Sequence, residues 1–158
     1  MESFLQFVGP WPVHIIFVAA CLPLALIDQA THRLPDAIVL PLWGISGGFF
    51  LLLGTVGNLA NSWLMANVSM AVSVLALWLM AELPGQPLGF GDVKLGGLVA
   101  LHLGWHSPHL AFVGLASAFV CGGVWVVGAW LGRKLSWSDE VAFGPWLIAG
   151  LFIGLSLA

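Results

Sequence analysis

The chain has 158 residues, 60% of them apolar and only 7% charged, with seven acids against four Lys or Arg for a net charge of −3. A soluble domain carries roughly 25% charged residues, so this composition excludes a water-covered globular fold. The absence of any basic patch excludes a nucleic-acid binder. What remains is an integral membrane protein, expected to be all-α and polytopic, with residues 1–158 forming one domain whose surroundings are the lipid bilayer.

Six apolar runs follow one another, which predicts about six transmembrane helices. The first covers Val13 to Ile27 and ends at Asp28. Val18-Ala19-Ala20-Cys21 within it superficially resembles a lipoprotein cleavage site. No Lys or Arg precedes it and Glu2 does, so Cys21 is read as helix packing. After the polar turn Gln29 to Asp36, the second run extends from Ala37 to Leu53 and fades into Gly54 to Asn58. The third runs from Trp63 to Ala81, and the prolines and glycine of Glu82 to Pro87 mark a turn.

Gly89-Phe90-Gly91-Asp92-Val93-Lys94-Leu95 then leads into the fourth run, Val93 to Trp105. A spanning helix needs about 20 apolar residues. This run is shorter and is expected to be sheltered by its neighbours, where irregular backbone at membrane depth is tolerated. The fifth run spans Leu110 to Leu131. A charged turn, Arg133 to Glu140, separates it from the sixth, Val141 to Leu157. Small residues recur four apart at Gly44/Gly48, Ala118/Gly122, Gly128/Gly132 and Gly150/Gly154, a spacing that permits close helix contact.

All four cations, Arg33, Lys94, Arg133 and Lys134, fall in odd-numbered connections. By the positive-inside rule those connections face the cytoplasm and both termini face outward. Asp28 ends the first helix on its way in, and Asp92 precedes the fourth on its way out. Both acids are therefore expected at the cytoplasmic face, where two helix ends can pack side by side.

Two adjacent carboxyls in a low-dielectric site share a proton, one serving as base and the other as acid. Such a pair can deprotonate a water and protonate a leaving nitrogen. The bland reading stays open beside it: Asp28 caps a helix end or pairs with Arg33, and Asp92 caps the fourth helix. An alternative from another class is a small proton-coupled carrier with the same acids as a relay. A relay wants them near the middle of the membrane, whereas these lie in turn-rich segments at one face.

Asp36, after Pro35, is placed to cap the second helix, and Glu82, near the same face, is either a binding group for a basic segment or, as the favoured reading, a solvated turn acid. Lys94 either steers a substrate acid, tunes Asp92 or snorkels to the interface. His102, His106 and His109 recur at a spacing that suits zinc. They lie on the outer side, and Pro108 interrupts their helix, so no metal is expected. Cys21 and Cys121 form no CxxC pair, and no glycine-rich loop follows a predicted strand, so no cofactor is expected.

Three segments together resemble the type IV prepilin peptidase family, the aspartic membrane peptidases of the GxGD type. They are Asp28 with Arg33-Leu34-Pro35-Asp36 and Leu40-Pro41-Leu42, then Gly89 to Leu95, then Ala142-Phe143-Gly144-Pro145-Trp146. The resemblance implies that Asp28 and Asp92 are the catalytic pair. Gly89, Gly91, Lys94, Asp36, Gly144 and Pro145 then bind substrate or shape the site. It further implies a prepilin or pseudopilin-like substrate whose short basic leader is cut at the cytoplasmic face of the bacterial inner membrane. Many members also carry a cytoplasmic region with paired cysteines and methylate the new amino terminus. These residues contain no such region, so the expectation is the short, peptidase-only form.

Overall fold

The computed structural model describes residues 2–84, 88–132 and 141–158. Its helices are α1 (Glu2–Val8), α2 (Trp11–Thr31), α3 (Asp36–Thr55), α4 (Ala60–Ala81), α5 (Phe90–Gly104), α6 (Pro108–Leu131) and α7 (Gly144–Ser156), with no strand among the described residues. Helices α2 to α7 are the six apolar runs. The short α1 has no counterpart in the hydropathy pattern. It is set off by Gly9, whose φ of 58° lies in the left-handed region that glycine enters without strain. The turns Gly85 to Pro87 and Arg133 to Glu140 lie outside the described residues.

Four helices, α2, α3, α4 and α6, are long and apolar enough to cross a bilayer. The protein is an all-α polytopic membrane protein. Two of the expected six spans are shorter than a full crossing. Helix α5 has 15 residues and α7 has 13. The sixth run loses Val141 to Phe143 because Pro145, which has no N–H to donate, fixes the helix start at Gly144. The fourth gains Phe90 to Asp92, since the extended Gly89 starts the helix inside the glycine-rich stretch. Large apolar side chains point outward along the long helices, with Phe112 at 72% and Leu22 at 68% exposure. Such faces suit lipid rather than water.

Helix α5 is the centre of the bundle. It packs against α3, α4, α6 and α7, and every residue from Leu95 to Gly104 is buried. Its glycines allow this crowding. A Cβ on Gly97 would stand 2.5 Å from Val74 Cγ2 on α4 and 2.8 Å from the Trp43 ring on α3. The expected shelter for the short fourth run is thus built from the flanking helices. The small-residue pairs divide. Gly150 faces the Gly114 backbone at the α6–α7 contact, whereas Gly44, Gly48 and Gly128 have open space where a Cβ would stand.

Reporter fusions after Asn58 and after Ser107 are expected to report the same side, opposite to a fusion after Gly132. The reverse relation would break the arrangement in which the ends of α2 and α5 that carry the acids share a face.

Candidate active site

Asp28 lies in the last full turn of α2 and is buried, at 4% exposure. Helix α2 ends at His32, a left-handed residue with φ 51°, whose N–H donates to the Asp28 carbonyl at 2.8 Å. Asp92 sits in the first turn of α5. Its Oδ2 accepts from the Gly89 N–H at 3.3 Å, so the acid does cap its helix. That bond uses one carboxyl oxygen. Asp92 Oδ1 is buried and has no hydrogen-bond partner among the described residues. A buried acceptor without a partner costs free energy and is unusual away from functional sites.

Both acids line one cleft of about 470 Å³, together with the His32 to Asp36 connection and Gly89 to Gly91. They reach this space from the ends of α2 and α5. The close approach has a local cause, since a Cβ on Gly91 would stand 2.9 Å from Leu34 Cβ. Only glycine lets the α5 entry lie against the Leu34-Pro35 turn.

The third segment of the resemblance enters through its backbone. The Gly144 N–H donates to Asp28 Oδ2 at 2.9 Å. Helix α7 thus presents its amino-terminal end, where unpaired N–H groups favour a carboxylate, directly to Asp28. Asp28 accepts from Gly144 rather than pairing with Arg33. Pro145 lies outside the cleft. It lines an adjoining pocket of about 380 Å³ with Gln29, Trp125 and Trp146, and His32 borders both spaces.

Lys94 and Asp36 meet each other. Lys94 Nζ donates to Asp36 Oδ1 at 2.6 Å, with side chains 37% and 56% exposed. Asp36 opens α3 without capping it by its side chain. Lys94 therefore ties α5 to α3 at the rim, and its carbonyl accepts from Trp43 Nε1 at 3.2 Å. Exposed pairs contribute about 0–1 kcal/mol. Lys94→Ala is expected to change peptide cleavage by less than about fivefold, the rate equivalent of that energy, as read by initial rates on a leader-bearing substrate. Glu82 is the exposed C-cap of α4 and lines neither space.

The histidines regroup. His109 is exposed in the first turn of α6, while His102 and His106 meet His14 of α2, which the spacing pattern did not include. His14 Nδ1 and His102 Nδ1 are 2.7 Å apart, His14 Nε2 and His106 Nε2 are 3.0 Å apart, and His102 Nε2 is 3.0 Å from Ser46 Oγ. A different nitrogen of His14 serves each partner, which is the pattern of a hydrogen-bonded chain. Two nitrogens on one tetrahedral zinc, with bonds of about 2.0–2.1 Å, stand about 3.3 Å apart. No group of three His, Cys, Asp or Glu among the described residues is arranged to hold a metal ion. The available sequence signal was a histidine placed inside the apolar first run, and only the fold reveals its partners.

Fold and cleft together define a helical membrane protein with two carboxyl groups facing one opening. The family model of the Type IV leader peptidase family matches residues 15–127, and the chain belongs to that family. Both acids fall in the matched residues, and Gly144 and Pro145 lie beyond them. The prepilin leader peptidase/N-methyltransferase of Burkholderia pseudomallei is 35% identical over 142 residues, 86% of this chain and 44% of the relative. That of Dickeya chrysanthemi is 34% identical over 152 residues, 90% of this chain and 48% of the relative. This chain thus spans less than half the length of these two relatives. The leader peptidase HopD of Escherichia coli is 34% identical over 145 residues, 90% of each chain. No solved structure matches the chain.

Proposed function

We propose that this protein is a membrane aspartic endopeptidase that removes the short basic leader of prepilin- or pseudopilin-like substrates. One observation carries the reading: Asp28 and Asp92, remote in sequence, line the same cleft, and each has one oxygen bonded to a backbone N–H. Asp92 Oδ1 has no hydrogen-bond partner among the described residues. The relatives' names support the substrate class, and the cations in odd-numbered connections support a cleft that faces the cytoplasm.

In this mechanism the pair holds one proton between two carboxyls. The ionised acid takes a proton from water, whose oxygen attacks the scissile carbonyl carbon. The protonated acid supplies a proton as the carbon–nitrogen bond breaks, so the pair ends with one proton and is ready again. Neither metal nor organic cofactor takes part. Acids at helix ends beside an open cleft suit hydrolysis better than a relay, which needs them in mid-membrane.

The test is cleavage of a leader-bearing pilin precursor by the purified protein in lipid vesicles, with the product mass measured. A cut that releases the basic leader is expected, and an intact precursor would overturn the reading. The same experiment with S-adenosylmethionine supplied is expected to leave the new amino terminus unmethylated. The relative matched over 90% of its own length is named a leader peptidase alone. A gain of one methyl group would show a second activity within these residues, and loss of cleavage with a chelator would show a metal requirement.

A further inference from the structure

At the end of the bundle away from the acids, four polar side chains from three helices form a continuous chain. Ser46 of α3 bonds His102 of α5, His102 bonds His14 of α2, and His14 bonds His106 just beyond α5. His102 and Ser46 are fully buried and His14 is 2% exposed. A neutral imidazole has one donor and one acceptor nitrogen. Both nitrogens of His14 and both of His102 are therefore used, with every donor running the same way along the chain and no charge needed. The ring planes are held as well. Phe17 stacks on His102 with centroids 4.3 Å apart, Phe50 meets it edge-on at 5.3 Å, and Trp11 stands edge-on to His14 at 6.0 Å.

This chain joins the two helices that carry the acids. Helix α2 packs chiefly on α3 and α7, and α5 on α4, α6 and α7, with little close backbone packing between α2 and α5. Their direct contact thus rests on side chains, while α3 and α7 pack against both. Apolar contact is non-directional, so where two helices lack close backbone packing it gives little preference for one rotation over another. Hydrogen bonds between fixed rings do give that preference. His14 lies roughly 21 Å along α2 from Asp28, and His102 roughly 15 Å along α5 from Asp92, at 1.5 Å per residue. A rod held at a second, distant point keeps its rotation and depth at the first.

We infer that the His106–His14–His102–Ser46 chain is a positioning device that fixes the register of α2 against α5, and through it the meeting of Asp28 with Asp92. These are positioning residues, since none touches the cleft. The inference rests on the proposed role of the two acids, and its test has one arm that does not.

The test compares the unmodified protein with the double variant His14→Phe/His102→Phe, which replaces both central partners by apolar rings; of the two end groups that lose a bond, Ser46 can turn its hydroxyl to a carbonyl of its own helix and His106 is only half-buried. Resistance to unfolding in detergent is expected to stay close to that of the unmodified protein. The kcat for leader cleavage is expected to fall roughly 10- to 100-fold, as for a misplacement of about 1 Å at a reacting centre, while KM stays within about twofold. In the second arm, Asp28→Cys and Asp92→Cys are introduced with Cys21→Ala and Cys121→Ala, and the rate of joining by a short bis-maleimide, which adds one thiol at each end, is followed. Joining is expected to slow when the two phenylalanines are added.

His106→Phe, at the half-buried end of the chain, puts folding at less risk. It should lower kcat several-fold at constant KM, and His106→Gln, which can still bond His14, should restore it. If kcat and joining are unchanged in the phenylalanine variants, the chain is packing only and the inference is overturned. If the unmodified protein fails to cleave, the peptidase reading falls, and the joining rates still decide the register.

Discussion

Asp28→Asn and Asp92→Asn are each expected to lower leader cleavage by roughly 10²–10⁴-fold or more, the usual cost of removing an acid–base partner. The amide keeps the shape of the side chain. Its oxygen can still accept from the Gly144 N–H at position 28, or from the Gly89 N–H at position 92, where the carboxylates accept at 2.9 and 3.3 Å. Folding and membrane insertion should therefore be retained, while the proton that the pair must exchange with water and leaving nitrogen is lost. Immunoblotting of membranes checks accumulation, and the ratio of processed to unprocessed precursor checks activity. Robust processing by either variant would remove the dyad from the mechanism. Both variants in one chain should be little worse than either alone, because the two groups act as a unit.

The second large effect is expected at a residue with no side chain. A Cβ at Gly144 would stand 2.6 Å from Asp28 Oδ2 and 3.1 Å from Asp28 Cγ. Asp28 is buried and has little room to yield. Gly144→Ala should therefore push the amino-terminal end of α7 away and stretch the hydrogen bond that holds the acid. The expected result is a fall in kcat of roughly 10- to 100-fold with KM little changed, as for a small misplacement of a reacting group. Gly48→Ala is the matching control, since nothing lies within 4 Å of where its Cβ would stand. If Gly144→Ala processes substrate at the unmodified rate, α7 does not position Asp28.

Much of this protein is legible in the order of its residues. Composition alone requires lipid around it, and the six apolar runs correspond to α2 through α7. The run before Trp105 is too short to face lipid by itself, and α5 is the buried centre. An antiparallel path from Asp28 to Asp92 brings both acids to one end, as counting the turns between them requires. These features are legible because each depends on one segment and its solvent. A run of apolar side chains, a proline or a glycine acts on its own neighbourhood whatever the rest of the chain does.

The partners of the acids were not legible in the same way. That Gly144 would supply the hydrogen bond to Asp28, that Lys94 would turn to Asp36 rather than to Asp92, and that His102 would meet His14 rather than His109 depend on how rigid helices are rotated and how deep they sit. Rotation and depth come from many shallow contacts summed across helix pairs, such as Gly97 against Trp43 and Val74. None of these contacts is visible in one segment. The sequence by itself determined a helical membrane protein with two acids at one end. The tertiary structure alone decided which backbone N–H groups hold those acids, because a hydrogen bond needs two groups within about 3 Å, and only the packed bundle sets distances that small.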